Sequence, residues 1–158
     1  MITDDLIANL SKWRTLPDEQ YVALKADARS PEDARRGDEL TPVQRNVLFN
    51  HATEPAFNNE YHACKSSGTY HCRACRLALF RSEDKFDSGT GWPSFTTPID
   101  YRVAKYTRNN SYNMERIEVH CANCGGHQGH VFNDGPTPTG LRFCINSASI
   151  ILIPARGE

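Results

Sequence analysis

The sequence predicts a mainly antiparallel β domain behind a short helical N-terminal segment. Three observations carry that reading. Apolar residues recur at helical spacing only in the N-terminal part of the chain. From Ala56 onward, Gly, Pro, Asn and Asp become frequent and hydrophobic stretches shorten, the pattern of short strands joined by tight turns. Four of the six cysteines form two tight pairs, Cys72-Arg73-Ala74-Cys75 and Cys121-Ala122-Asn123-Cys124, each beside a strand-like segment. At 158 residues the chain is long enough to bury a core of its own.

Thr3 is placed to cap a first helix on which Leu6, Leu10 and Trp13 recur at near-helical spacing. Leu16-Pro17 ends it, because a residue before proline is pushed out of the α region. A second helix starts at Pro17, with Asp18 and Glu19 near its positive end and Tyr21, Val22 and Leu24 as its apolar side. Ser30 to Glu39 is polar, charged and contains Gly37, and reads as a linker. A third helix begins at Thr41-Pro42, with Thr41 as cap and Val43, Val47 and Leu48 facing inward. Tyr70 to Phe80 and Ile117 to His120 are strand pieces flanking the cysteine pairs, and Leu141 to Ile153 is the clearest strand region. Asp87-Ser88-Gly89, Gly91-Trp92-Pro93, Asn109-Asn110 and Asn133-Asp134-Gly135-Pro136 are turn signals.

Net charge is −1, so no strong field favours nucleic acid or anionic lipid. The longest aliphatic run, Ile150 to Ile153, is cut by Pro154, far short of the roughly 20 apolar residues of a membrane span. The start, Met1-Ile2-Thr3-Asp4-Asp5, has no basic region followed by an apolar one and does not read as a secretory signal. The expected compartment is a reducing cytoplasm, where close cysteine pairs more often mean metal or redox chemistry than a disulfide scaffold.

Structural zinc takes four ligands in a tetrahedron and favours thiolates. Each Cys-x-x-Cys turn offers two sulfurs, so Cys72, Cys75, Cys121 and Cys124 form a candidate four-thiolate zinc site. The wide separation of the pairs suggests two knuckles joined by a folded sheet. A thioredoxin-like redox pair competes, but neither pair precedes an obvious helix in a βαβ pattern. An iron–sulfur cluster also competes, without the familiar ferredoxin spacings.

Cys64 and Cys144 remain for thiol chemistry. If Leu141 to Asn146 is a strand, Leu141, Phe143 and Ile145 face the core while Arg142, Cys144 and Asn146 share the other face. A cation beside a thiol favours the nucleophilic thiolate. A free cysteine is often only a small buried hydrophobe, but inert ones sit in apolar company, unlike this one. His127 and His130 lie three apart in a Gly-rich stretch, and histidine is the usual general acid near neutral pH. Trp92 sits inside a Gly/Pro turn, where it either staples the core or offers a flat apolar face to a small substrate group.

Phe86-Asp87-Ser88-Gly89-Thr90-Gly91-Trp92-Pro93-Ser94-Phe95, the two cysteine pairs, Gly126-His127-Gln128-Gly129-His130-Val131-Phe132, Asp134-Gly135-Pro136 and Arg142-Phe143-Cys144-Ile145-Asn146-Ser147 together resemble the peptide methionine-(R)-sulfoxide reductases, the B type. The resemblance covers about residues 40 to 154. It implies two antiparallel sheets with short N-terminal helices, a structural zinc ion on the four paired cysteines, and Cys144 as nucleophile. It also implies that Trp92 holds the substrate methyl group and that His127, His130 and Asn146 line the active site; Arg142, on the strand face of Cys144, is a candidate substrate-binding residue. On this reading residues 1–40 are a helical extension and linker, and residues 41–158 the catalytic domain. The substrate is the R epimer of methionine sulfoxide in oxidised proteins, or free. Thioredoxin or a similar thiol reductant recycles the enzyme, which is expected to be a cytoplasmic monomer with no nucleic-acid or membrane partner.

The residues fit that chemistry. A sulfoxide oxygen leaves only if protonated, so the site needs a thiolate, an acid and an apolar seat for the methyl, which Cys144, His130 and Trp92 supply. The product on Cys144 is a sulfenic acid, reversible by condensation with another thiol. Many family members carry a resolving cysteine where this chain has Thr90, so Cys64 is the candidate resolving thiol. Two rivals explain less. A non-catalytic zinc-ribbon module leaves the Cys144 face and the histidine pair without a role. A cysteine hydrolase using Cys144 with His130 would consume no reducing equivalents.

Overall fold

The computed structural model describes residues 9–36, 39–109 and 116–154. Three α-helices come first: α1 (Asp18–Asp27), α2 (Pro31–Arg36) and α3 (Pro42–Asn50). Then come β1 (Gly68–Cys72), β2 (Ala78–Arg81), β3 (Lys85–Phe86), β4 (Ser94–Phe95), β5 (Ala104–Asn109), β6 (Arg116–Cys121), β7 (His127–Phe132), β8 (Arg142–Ile145) and β9 (Ile150–Pro154).

The N-terminal segment departs from the sequence reading in two places. Thr3 and Leu6 lie outside the described residues. The remainder of the first predicted helix is a single 3-10 turn, Asn9–Lys12, closed by Trp13 and Arg14 N–H groups on the Leu10 carbonyl. Leu10 is buried, but Trp13 is 49% exposed. Ser30 to Glu39 is not a plain linker either. It contains α2, with acids in its first turn, arginines in its last, and Ala34 fully buried. Only that one apolar residue marks the helix, too few for a period to show in the sequence.

The second predicted helix forms as α1, but it buries no residue, and Val22 points to solvent. Arg102 pins it instead. The guanidinium lies 4.0 Å from the Tyr21 ring centroid, donates to Asp18 at 3.1 Å and to the Leu16 carbonyl at 3.1 Å, and grips the Asp100 carboxylate through two bonds of 2.9 Å. α3 starts as predicted. Thr41 Oγ1 accepts from the Gln44 N–H, and the Gln44 side chain accepts from the Thr41 N–H, a reciprocal cap worth about 1 kcal/mol. Val47 and Leu48 are buried. Val43 is exposed, since the helix packs on β7 and on the 3-10 turn Ser147–Ser149 and its first turn overhangs these contacts.

The strands form two antiparallel sheets, β2-β1-β9 and β3-β4-β8-β7-β6-β5, as expected. The predicted strand region at Leu141 to Ile153 divides between them, β8 in the large sheet and β9 in the small one. Tyr70 and Phe80 of the small sheet meet Phe95 and Phe143 of the large one. Phe80 stacks on Phe95 at 4.5 Å, with Tyr70–Phe95 at 5.2 Å and Phe80–Phe143 at 5.9 Å. Such pairs add about 0.5–1.5 kcal/mol each beyond the area they bury.

The large sheet also sets out the chemistry. One line of register partners crosses it: Phe86, Ser94, Cys144, His130, Glu118, Thr107. Register partners share a face. In β7, Gly129 pairs with Val119 and His127 with His120, so Gln128 is an extra residue, a β-bulge. The bulge returns His127 to the face that carries His130, which strict alternation would forbid for residues three apart.

Candidate active site and four-cysteine centre

The two cysteine knuckles share one backbone design. Arg76 N–H donates to the Cys72 carbonyl at 2.8 Å, and Cys72 N–H to Leu77 at 2.8 Å; Gly125 N–H donates to Cys121 at 2.9 Å, and Cys121 N–H to Gly126 at 2.9 Å. The residue after each second cysteine is left-handed, Arg76 at φ 72° and Gly125 at φ 77°. All four sulfurs lie within 4.8 Å of one another. Cys72 and Cys124 are 3.7 Å apart, and Cys75 and Cys121 3.5 Å. Thiolates around a tetrahedral zinc ion at ~2.3 Å stand ~3.8 Å from one another, whereas a disulfide is ~2.05 Å long. The spacing therefore fits a shared ion and excludes disulfides. Gln128 Nε2 lies 3.6 Å from Cys72 Sγ and the Gly126 N–H 3.4 Å from Cys124 Sγ, donors suited to sulfur that carries charge. These buried cysteines can bind a metal ion.

Trp92, His130, Cys144 and Asn146 line one cavity of about 110 Å³, which Thr53, Arg116 and Phe132 also border. Gly129 makes the approach of β7 to β8 possible. A Cβ there would lie 2.0 Å from the Cys144 carbonyl oxygen. The strand alternation read from the sequence holds. Phe143 and Ile145 are buried in the core, and Cys144 is half-buried on the other face.

Glu54 organises this cavity and was missed by sequence reasoning. Its carboxylate accepts from the Ser147 N–H and, at 2.9 Å, from the Ala148 N–H. Its carbonyl accepts from Trp92 Nε1 at 3.0 Å, and its N–H donates to Asn146 Oδ1 at 3.2 Å. The indole and the amide are thus fixed to one loop residue. Asn146 in turn donates to the Gln128 carbonyl from Nδ2 at 3.2 Å and from its backbone at 2.9 Å.

The resting charges differ from the sequence expectation of a ready thiolate. Burial pushes the Cys144 thiol up, although the Arg142 guanidinium and the Thr90 hydroxyl pull it back. Burial, with Arg116 and His127 nearby, pushes His130 down to about 4. At neutral pH the cavity therefore holds a neutral thiol beside a neutral imidazole. His130 Nε2 is buried with no partner among the described residues, so it is free to accept or donate one hydrogen bond to a ligand, according to its tautomer.

His127, also expected to line the site, lies beside His130, with ring centroids 5.6 Å apart, but does not border the cavity. Its Nδ1 is 2.6 Å from Glu118 Oε2. Burial works against ionisation of Glu118, but His51, His127 and His120 outweigh it and hold the carboxyl below its usual range. Arg142 also stays out of the cavity lining. It grips Asp134 through two bonds of 2.8 and 3.1 Å and stacks 4.4 Å from the centroid of Phe132, leaving its charge close to Cys144. Cys64 lines a different cavity of about 390 Å³, with His62, Lys85 and Phe86. That cavity borders β3, which stands two strands away from β8, about 10 Å across a sheet. There, burial is outweighed by the Ser66 N–H and the Lys85 ammonium, so Cys64 is shifted down where Cys144 is shifted up.

Comparison with known proteins covers the stretch that holds both centres. The SelR domain model matches residues 40–154. A peptide methionine sulfoxide reductase MsrB of Pseudomonas paraeruginosa is 51% identical over 127 residues, 80% of this chain and 96% of that protein. The MsrB of Leptospira interrogans is 50% identical over 122 residues, 77% of this chain and 92% of that protein. The mouse mitochondrial methionine-R-sulfoxide reductase B3 is 50% identical over 116 residues, 73% of this chain and 46% of that protein. With both cysteine knuckles and the whole Cys144 cavity inside the matched stretch, this chain belongs to the SelR-domain family, alongside the MsrB reductases.

Proposed function

We propose that this protein reduces the R epimer of methionine sulfoxide, in oxidised proteins or free, to methionine, with Cys144 as the nucleophile. The observation that carries the proposal is one small cavity bordered by a thiol, an imidazole and an indole, Cys144, His130 and Trp92. Trp92 seats the methyl group, and its bond to Glu54 holds the ring still. Cys144 Sγ attacks the sulfoxide sulfur. His130, neutral at rest, accepts the thiol proton and delivers it to the sulfoxide oxygen. His127 and its Glu118 contact steady His130, Asn146 orients the substrate, and Arg142 stabilises developing thiolate charge. Methionine sulfur gains two electrons, Cys144 sulfur loses two, and the oxygen leaves as the hydroxyl of a sulfenic acid. The R preference comes from fixing the methyl and the oxygen on opposite sides of the sulfur.

A second thiol then condenses with the sulfenic acid and expels water. Thioredoxin, or a thiol of the same kind, supplies the electrons that regenerate Cys144. Cys64 serves as the resolving thiol if the stretch 51–67, which has no helix or strand, carries it past β3 and β4. Counting free thiols after one turnover decides this. A Cys64→Ser variant that still forms an intramolecular disulfide removes Cys64 from the cycle. Zinc is the ion for Cys72, Cys75, Cys121 and Cys124. When bound it fastens the two knuckles, since a closed four-sulfur shell has no position for substrate. Residues 41–158 form the catalytic domain, with 1–40 as an N-terminal extension to it. The near-zero net charge fits a role without nucleic-acid or membrane partners, and the reading is completed by a cytoplasmic monomer in oxidative-stress repair.

The test is dithiothreitol-dependent turnover of dabsyl-methionine sulfoxide, R and S epimers in parallel. Consumption of the R epimer alone is expected. Turnover of neither epimer by metal-replete protein would return the fold to the zinc-ribbon reading, which leaves the cavity without a purpose.

A further inference from the structure

We infer a second metal site, for a divalent transition ion of the zinc or cobalt kind, built from His51, Glu118, His120 and His127. It uses none of the cysteines, but it shares His127 and Glu118 with the proposed reductase site, where that pair steadies His130. Three elements bring its ligands together: the C-terminal end of α3, strand β6, and the bulged start of β7. His51 Nδ1 and His127 Nδ1 each lie 2.6 Å from Glu118 Oε2, and His120 Nε2 lies 3.5 Å from the same oxygen. The ligand atoms of His51, Glu118 and His127 all fall within 4.8 Å of one another. Around an ion bound at ~2.0–2.2 Å, tetrahedral N and O donors stand ~3.3 Å apart, so His51 and His127 must part from Glu118 to admit an ion, and His120, outside the three-residue cluster, must swing inward to join them. Imidazoles with one carboxylate suit zinc, cobalt, nickel or copper rather than magnesium or calcium.

The hydrogen-bond inventory also asks for a cation. His120 Nδ1 faces the Gly125 carbonyl at 3.4 Å while its Nε2 faces the Glu118 carboxylate. A neutral imidazole has one N–H, so one nitrogen turns a lone pair toward an oxygen. A metal ion between Nε2 and the carboxylate removes that repulsion, and the Gly125 carbonyl then orients the ring from its far side. The backbone helps, because His51 closes α3 in a left-handed conformation at φ 57°, next to helix carbonyls that favour positive charge. There is also an entry path. Side-chain exposure falls from 60% at His51 through 15% at His120 and 8% at Glu118 to 2% at His127.

The test uses the full chain carrying Cys144→Ser, with its four-cysteine metal retained and monitored by elemental analysis. Co2+ is titrated in, and bound cobalt and its spectrum are read. One additional equivalent is expected, with d–d bands and no thiolate-to-cobalt charge-transfer band. His51→Ala and His120→Ala, made separately, should each weaken that equivalent ~10-fold or more. His51 is mostly exposed, so its variant keeps the fold. No additional equivalent, an equivalent unchanged in both variants, or one that carries a thiolate band would each overturn the site.

Discussion

Four cysteines in this chain converge on one point, and a fifth borders a cavity with a tryptophan and a histidine. The four-sulfur centre has matched backbone bonds on both knuckles and amide donors on its sulfurs. The Cys144 cavity has an unpartnered imidazole nitrogen, a thiol shifted up by burial and an imidazole shifted down. The first region, once it holds its ion, has no position for substrate; the second has a free nitrogen and space for one. Gln128 joins them, its side chain at Cys72 and its carbonyl at Asn146. The difference teaches that neighbours rather than residue type separate a structural thiol from a reactive one.

The largest expected effect falls on the closed region. Cys72 ends β1 in the small sheet and Cys121 ends β6 in the large one, so the centre latches the two sheets. Cys72→Ser should lose the metal and with it cooperative melting, because structural zinc contributes on the order of 10 kcal/mol in small domains. Retained metal with an unchanged melting temperature would break the comparison at its root. Cys144→Ser should do the reverse, reducing turnover of the R epimer by roughly 10³-fold or more while melting shifts by no more than about 2 °C.

Acid sharpens the contrast. The folded state holds His130 below its unfolded value, so it resists a proton that the unfolded chain accepts. Its stabilising contribution is present above pH ~6.5 and is lost as pH falls toward about 4. Allowing for residual solvent contact, the loss is about 2 kcal/mol. Urea unfolding across that range should fall more steeply for the natural chain than for His130→Gln. Thiol protonation at the metal centre acts on both proteins alike, so the difference between them isolates the cavity. Parallel curves would mean that the cavity is wetter than its geometry states.

Trp92→Ala should lower kcat/KM by roughly 10- to 100-fold, the scale of a lost apolar seat for a small group. Trp92→Phe should recover most of it, because a flat ring remains. Equal losses in the two variants would shift the role of Trp92 from seating a methyl to holding Glu54.

How much of this was legible in the sequence divides along similar lines. Short-range signals read well. The proline starts of α1 and α3, the cap of α3, the cysteine pairs and the outward face of Cys144 all depend on spacings of a few residues. Long-range contacts did not. Glu54 bonds to residues more than ninety positions away, and nothing in Thr53-Glu54-Pro55 announces it. The grouping of His51 with Glu118 needs a helix end and two strands to converge. The bulge at Gln128, which sets His127 and His130 on one face, leaves no mark in the hydrophobic pattern. Elimination pairs Cys64 with Cys144, yet two intervening strand spacings separate their cavities.

The smallest effect compares the knuckles with each other. Their backbones share a design, yet the left-handed position holds Gly125 in one and Arg76 in the other. A side chain there costs roughly 1 kcal/mol or more, a cost that glycine avoids. Replacing Arg76 also removes its side-chain contacts, so a single variant mixes two effects. Arg76→Gly and Arg76→Ala lose the same contacts and differ in the backbone. The glycine variant should therefore be the more stable by about 1 kcal/mol in urea unfolding, with metal content equal in both. Equal stability would mean that the first knuckle reaches its left-handed turn without strain. The Arg76 carbonyl, which accepts from His71 Nδ1 at 2.8 Å, would then be the contact that sets the conformation.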